Sequence, residues 1–176
     1  MKKTIRNYAF CGFLFASVAG TLLHFIYDWS GGSPAAALFG AVNESTWEHM
    51  KIAAIPMLLF SVAEFFRFGK REPNFFAAKL VSLAICMGII VGVFYTYTYL
   101  LGRSVLAADI VLFYTAIAAG QWLGYRTLLL PPEPACRQII ALIALLCITA
   151  ALFSFTYYPP HALLFLDPVT GGYGIV

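Results

Sequence analysis

The sequence predicts an all-α protein, a polytopic membrane helix bundle with five transmembrane helices. Of its 176 residues, 61% are hydrophobic and 11% are charged, and the mean hydropathy is +0.84. A soluble domain has roughly 45–50% apolar residues, so this composition indicates a membrane protein. Backbone groups in lipid must bond within their own segment, and the apolar stretches lack the alternation of a β-barrel. Helices are therefore the expected elements.

Five apolar stretches are each long enough to cross ~30 Å of hydrocarbon as a helix of about 20 residues. They are residues 7–27, 47–66, 75–100, 105–128 and 139–157. The first stretch follows a basic tail and contains Ser17-Val18-Ala19, which is typical of a signal peptide and its cleavage site. Apolar residues continue beyond it to Ile26, so we expect an uncleaved span. The five spans form one predicted transmembrane domain over residues 1–176.

The connection between the first two spans predicts a short additional helix. It reads DWSGGSPAAALFGAVNESTWEHMK, in which Ser33-Pro34 is a typical helix start and Gly40 ends the apolar piece after Phe39. A helix of about two turns cannot span the bilayer, so we expect an interfacial or re-entrant helix. After the fifth span, residues 158–176 are apolar and rich in turn residues, which predicts an external lid.

Positive charge predicts the orientation of the bundle, because cytoplasmic loops are enriched in lysine and arginine. Most basic residues fall on one side of the alternating spans, namely Lys2, Lys3, Arg6, Arg67, Lys70, Arg71, Arg126 and Arg137. Near the opposite side lie only Lys51 and Arg103. The sequence therefore predicts a multi-pass protein of the cell membrane with a cytoplasmic N-terminus and an external C-terminus.

Ionisable residues concentrate on the predicted external side. All three histidines belong to this layer, and they are His24, His49 and His161. Five of the eight acidic residues join them, and they are Asp28, Glu44, Glu48, Asp109 and Asp167. Ionisable groups at membrane depth are costly and are functional candidates by default, so this layer predicts a binding or catalytic site.

The stretch AVNESTWEHMK, at the start of the second span, is the densest part of this layer. Ser45 and Glu48 match the S-x-x-E capping box, in which the glutamate side chain bonds the N–H of the cap residue. Residues four apart on a helix share a face, which pairs Ser45 with His49 and Glu44 with Glu48. Helix capping leaves Glu44, His49 and Lys51 unexplained, so these residues are functional candidates.

Two arrangements of the layer remain open. In the first, His24, His49 and His161 bind a divalent metal, and Asp28 or a glutamate fixes an imidazole tautomer or completes the site. Zinc suits imidazole and carboxylate ligands together, and three protein ligands leave one position open for water. In the second arrangement, the carboxylates bind a cation or a substrate amine, and the histidines bond only within the bundle.

In either arrangement, Glu44 and Glu48 are the candidate catalytic carboxylates. The remaining polar and aromatic residues of the layer are candidate ligand-binding residues, and they are Asn43, Ser45, Trp47, Lys51, Asp109 and Asp167.

Two segments carry a resemblance to known proteins: LLHFIYDWSGG with LFGAVNESTWEHMKI, and YYPPHALLFLDPVTGGYGI. The pattern positions are His24, Asp28, Trp29, Asn43, Glu44, Ser45, Trp47, Glu48, His49, Lys51, Pro160, Asp167 and Tyr173. In this pattern the chain resembles, over its whole length, a family of small multi-spanning bacterial membrane proteins classed as a domain of unknown function. The resemblance implies where a site lies and implies no particular chemistry.

Three classes of function fit these observations. The first is a metal-dependent, membrane-embedded hydrolase that acts on a lipid or envelope substrate. The second is a small transporter, or the substrate-capturing subunit of a larger one, with the short connecting helix as its gate. The third is a non-catalytic assembly or sensor protein. Membrane lipid is the expected partner, a second copy or a transporter subunit is a further candidate, and nothing indicates nucleic-acid binding.

Overall fold

The computed structural model describes residues 2–175, so Met1 and Val176, which the predicted domain includes, lie outside the described residues. Within this range the chain forms six α-helices and no strand. The helices are α1 (Lys2–Trp29), α2 (Pro34–Phe39), α3 (Thr46–Arg67), α4 (Phe75–Leu101), α5 (Leu106–Leu128) and α6 (Ala135–Tyr157). All except α2 are long and apolar enough to cross a membrane, which confirms the all-α bundle with five candidate spans.

Helix α3 is the most buried of the five long helices, and it packs between α1 and α4. Helix α5 packs against α1 and α4, and α6 packs against α4. The approach of α1 to α3 depends on Gly20, because a Cβ atom there would lie 2.7 Å from the Ile52 carbonyl oxygen. Small residues at such contacts let the backbones of membrane helices come close. The glycine therefore keeps the ends of α1 and α3 together.

The long helices alternate in direction, so one end of the bundle collects the C-termini of α1, α4 and α6 and the N-termini of α3 and α5. We call this end the site end. Helix α2, which is too short to cross a membrane, lies at this end and packs against α1, α3 and α6. Most basic residues lie at the opposite end, near the ends of the long helices and in the connection between α3 and α4. The charge asymmetry is thus part of the structure, and the orientation in the membrane stays a prediction.

Residues 158–175, the C-terminal segment, fold back over the site end. Phe165 packs on Trp47 with ring centroids 4.8 Å apart, and the Asn43 side-chain amide donates to the Gly174 carbonyl at 2.8 Å. The segment therefore covers the start of α3, as a lid would.

Candidate metal centre

Three side chains from two helices and a loop converge at the site end. The His24 Nε2 atom, on α1, lies 3.8 Å from Glu44 Oε2, and the His49 Nε2 atom, on α3, lies 3.5 Å from the same oxygen. One candidate ligand atom of each residue lies within 4.8 Å of the other two. Atoms bound at about 2.0–2.1 Å to a tetrahedral zinc ion are roughly 3.3 Å apart. The cluster is therefore close to the dimensions of a metal site.

The orientation of His49 is set by its own helix. Its Nδ1 atom lies 2.9 Å from the Ser45 carbonyl oxygen. A carbonyl oxygen only accepts hydrogen bonds, so Nδ1 carries the proton and the neutral ring keeps its lone pair on Nε2. Metal-binding histidines usually donate their second ring N–H to a carbonyl or carboxylate in this way. The bond therefore presents the Nε2 lone pair of His49 to Glu44.

His24 lies on α1 one turn after Gly20, where α1 and α3 approach each other. Its ring packs edge-on against the His49 ring, with centroids 5.3 Å apart. Both histidine side chains are 30% exposed and Glu44 is 48% exposed, so an ion could reach the cluster from outside the protein. The close packing of α1 on α3 therefore brings the two imidazoles together.

Glu44 lies in the loop that joins α2 to α3, and its neighbours fix this loop. The Asn43 carboxamide accepts a hydrogen bond from the Ser45 N–H at 2.9 Å. Ser45 in turn is the N-cap residue of α3, and its hydroxyl accepts from the Glu48 N–H at 3.4 Å. The sequence AVNESTWEHMK therefore places Glu44 immediately before a capped helix.

The cluster forms one wall of a pocket of about 310 Å³. The other walls come from α4, α5 and the C-terminal segment, and most of their side chains are apolar: Ile90, Phe94, Leu106, Leu112 and Phe113. Asp109 also faces this pocket, and its carboxylate accepts a hydrogen bond from the Tyr97 hydroxyl. The pocket thus combines a polar side with apolar walls inside the bundle.

Glu48 and Lys51 do not line this pocket and instead form a buried ion pair. The Lys51 Nζ atom lies 2.5 Å from Glu48 Oε2, and it donates to the Ala37 carbonyl at 2.8 Å and to the Thr156 hydroxyl at 2.7 Å. The same Glu48 oxygen accepts from the Val42 N–H at 3.1 Å. These contacts join α3 to α2, to α6 and to the loop that carries Glu44.

The predicted capping box is half correct. The Ser45 hydroxyl caps α3 as expected, but the Glu48 carboxylate bonds the Val42 N–H rather than the Ser45 N–H. The reason is the buried ammonium of Lys51, one turn along α3, which takes Glu48 as its counter-ion. The Ser45 N–H has Asn43 as its partner instead.

Two of the four proposed metal ligands lie outside the cluster. The His161 ring stacks face to face on Tyr173, with centroids 4.5 Å apart and an angle of 2° between the planes. Asp28 is exposed, on the turn of α1 that follows His24. Among residues 2–175, the group of histidine, cysteine and acidic residues with metal-site spacing is His24, Glu44 and His49. The structure thus brings a mixed set of two imidazoles and one carboxylate together.

The other proposed ligand-binding residues pack or bond within the fold, and among them the buried Trp47 indole N–H has no hydrogen-bond partner in the described part of the chain. Trp47 packs on Phe155 and Phe165 beneath the C-terminal segment. Asp167 is buried in its own turn, where its carboxylate accepts from the Val169 N–H at 3.0 Å and the Thr170 hydroxyl at 2.7 Å. Of the proposed ligand-binding residues, Asp109 is the ionisable one that faces the pocket.

Two hydrogen-bonding partners of candidate residues are not predicted from the sequence: Thr156, which donates to Glu48, and Tyr97, which donates to Asp109. Thr156 is fully buried in the last turn of α6, where Ser154 and Tyr157 also carry hydroxyls, so nothing in the sequence singles it out. Tyr97 belongs to the run FYTYTYLL, where nothing in the sequence distinguishes it from the neighbouring tyrosines.

The fold and the cluster together define a class of protein: an all-helical protein with five candidate membrane spans and a His/Glu group at one end of its bundle. The chain belongs to the family described as "Family of unknown function (DUF6512)", which it matches over residues 2–175. This match confirms the resemblance to an uncharacterised family, while the motif and the bacterial origin stay predictions. Comparisons with curated proteins and with solved structures give no match.

Proposed function

We propose that this protein binds a divalent metal, zinc, through His24, Glu44 and His49, and uses it to hydrolyse a lipid or envelope substrate at the external face of the cell membrane. The observation that carries the proposal is the convergence of both Nε2 atoms on one Glu44 oxygen, at 3.8 and 3.5 Å. The bond from His49 Nδ1 to the Ser45 carbonyl supports it, because it leaves Nε2 free to bind a metal.

The donor set fits zinc chemistry. Two histidines and one glutamate bind zinc in several hydrolytic enzymes, and three protein ligands leave a fourth position for water or substrate. Zinc supplies a nucleophile at neutral pH, because it lowers the pKa of bound water to about 7. The adjoining pocket offers space for a substrate beside that position.

The remaining carboxylates take separate roles in this proposal. Glu44 acts as a metal ligand, and Glu48 is held in its ion pair with Lys51. Asp109 faces the same pocket as the cluster and is the carboxylate placed to exchange a proton with a bound substrate.

The external location is supported by charge. Most of the basic residues lie near the helix ends and in the α3–α4 connection, at the end of the bundle opposite the cluster, and the side with more lysine and arginine is cytoplasmic in most membrane proteins.

Elemental analysis of the detergent-purified protein tests the metal site. The protein is loaded with zinc, freed of excess metal and compared with the variants His24→Ala, His49→Ala and Glu44→Gln. The matched control is His161→Ala, because His161 lies at the same end of the bundle and stacks on Tyr173 instead.

We expect one zinc ion per chain in the unaltered protein and in His161→Ala. We expect much less zinc in the three variants of the cluster. Zinc should also raise the melting temperature in the same pattern, because a ligand that binds only the folded state stabilises it. Absence of stoichiometric zinc from the loaded unaltered protein would refute the proposal, and so would equal loss from His161→Ala and His49→Ala.

A further inference from the structure

The pocket beside the cluster changes character with depth. The cluster lies near the helix ends, since His49 is in the first turn of α3. Leu112 and Phe113 lie in the second turn of α5, about 9–10.5 Å along the axis from its first residue at 1.5 Å per residue. Ile90 is deeper still, about three turns before the end of α4. The pocket therefore runs from a polar side at the site end towards apolar walls within the membrane span.

The electrostatics of the polar side favour an anionic or strongly polarised oxygen. Two neutral imidazoles and the Glu44 carboxylate contribute one negative charge, so a bound divalent ion leaves a net positive charge on the cluster. The other carboxylate in the pocket, Asp109, is hydrogen-bonded by the Tyr97 hydroxyl. An oxygen ligand at the metal is therefore complementary in charge.

The apolar walls favour a hydrocarbon chain attached to that oxygen group. A small hydrophilic ligand would leave the pocket-facing surfaces of Ile90, Leu112 and Phe113 uncovered, whereas each methylene placed against them is removed from a polar environment. Leu106, the first residue of α5, lines the pocket and is 75% exposed, so the pocket has an exposed apolar edge at the site end, where a membrane lipid could approach.

Resting on the proposed metal site, we propose that this pocket binds an acyl compound. Its carbonyl or carboxylate oxygen lies at the metal, and its hydrocarbon chain lies along Ile90, Leu112 and Phe113. Such an acyl group belongs either to a free fatty acid or to a lipid ester. Hydrolysis of an ester adds the oxygen of water to the acyl carbon, breaks the bond from that carbon to the alkoxy oxygen, and gives a proton to the leaving alcohol.

Alkyl hydroxamates of increasing chain length test this inference, because the hydroxamate group binds zinc and the chain can be varied alone. Binding of acetohydroxamate, butanohydroxamate and hexanohydroxamate to the zinc-loaded protein is measured by equilibrium dialysis in one detergent. Burial of a methylene contributes ~0.8 kcal/mol, so affinity should rise about fourfold per methylene and about 200-fold from the acetyl to the hexanoyl compound.

A matched pair of variants separates the pocket from the protein surface. Leu112 lines the pocket and is buried, whereas its neighbour Val111 is 61% exposed. Leu112→Phe fills the pocket and should remove most of the dependence on chain length, while acetohydroxamate still binds. Val111→Phe should change neither the dependence of affinity on chain length nor the binding of acetohydroxamate.

A second assay distinguishes the two sources of the acyl group. The zinc-loaded protein is placed in phosphatidylglycerol bilayers, and released fatty acid is measured for the unaltered protein and for His49→Ala. Release that depends on His49 identifies a lipid ester as the source. If nothing is released but hexanoate and longer carboxylates bind with the same chain-length dependence, the source is a free fatty acid.

The assays distinguish failure of the proposed metal site from failure of the proposed acyl pocket. If the unaltered protein binds neither zinc nor acetohydroxamate, the proposed metal site is wrong and the acyl pocket falls with it. If acetohydroxamate binds with an affinity that does not rise with chain length, the metal site stands and the acyl inference is overturned. Equal loss of the chain-length dependence in Val111→Phe and Leu112→Phe would also overturn it, because the chain would then bind outside the pocket.

Discussion

Replacing Lys51 with methionine tests whether the buried ion pair stabilises the site end of the bundle. Lys51 is 0% exposed and Glu48 is 2% exposed, so water does not solvate either charge. The three N–H donors of the ammonium group have partners in Glu48, the Ala37 carbonyl and the Thr156 hydroxyl. Methionine has a similar length and no charge, so the substitution leaves the Glu48 carboxylate buried without a counter-ion.

Removal of one partner from a buried ion pair costs about 3–5 kcal/mol of unfolding free energy. In a chain of this size each 1 kcal/mol shifts the melting temperature by roughly 2–4 °C, so we expect Lys51→Met to lower it by roughly 6–20 °C. The double variant Lys51→Met/Glu48→Gln removes both charges and keeps an acceptor for the Val42 N–H. We expect it to recover at least about half of the lost stability.

The assay is thermal unfolding of the metal-free protein in detergent. Without metal, the melting temperature reports the stability of the fold alone and does not depend on metal binding. The control is Arg137→Met, which breaks an exposed ion pair: Arg137 is 66% and Glu133 29% exposed, with 2.7 Å between the charged groups. An exposed pair contributes about 0–1 kcal/mol. The reasoning is refuted if Lys51→Met is as stable as Arg137→Met, or if the double variant is as unstable as Lys51→Met.

Three further predictions concern the metal, the orientation and the helix packing. Zinc affinity should fall as the pH is lowered, because protons compete with the metal for the ligand atoms; titrations of the protein with zinc at several pH values check this, and a pH-independent affinity is the contrary result. The orientation is tested with the single variants Tyr158→Cys and Arg71→Cys in a cysteine-free background. Tyr158→Cys should react with a membrane-impermeant thiol reagent added outside intact cells, and Arg71→Cys should not; the reverse pattern would show the opposite orientation. Gly20→Val should lower stability by about 1–3 kcal/mol and weaken zinc binding, because its Cβ would press on the Ile52 carbonyl; Gly88→Val, where a Cβ meets nothing within 4 Å, is the control, and equal effects of the two would contradict the packing argument.

The helices could be predicted from the sequence because their determinants are local. Each long helix requires a run of apolar residues of membrane-spanning length, and this property is visible without knowledge of any contact. The short helix α2 was predicted for a similar reason, because Ser33-Pro34 and Gly40 mark its two ends. The predicted start and end of α2 agree with the observed Pro34–Phe39.

The candidate site could be predicted less completely, because it depends on contacts between distant segments. The layer that holds His24, Glu44 and His49 was visible, since alternating spans bring those segments to one end of the bundle. The stacking of His161 on Tyr173 depends on how the C-terminal segment folds back on itself, through a 3-10 helix at Leu163–Phe165 and a bridge between Leu166 and Tyr173, and the sequence does not specify that path. The buried partner Thr156 is 108 residues from Glu48, so their contact required the packing of α6 on the bundle.

The first turn of α3 carries so many polar groups because it serves two structures at once. Successive helical residues point about 100° apart, so Glu48 and His49 face different neighbours. Glu48 and Lys51 bond backbone groups of α2 and of the loop before α3, and that loop carries Glu44 towards His49. A metal ligand on a loop needs such support, because ligand bonds tolerate little displacement. The buried ion pair therefore holds in place the Glu44 carboxylate on which the proposed metal site depends.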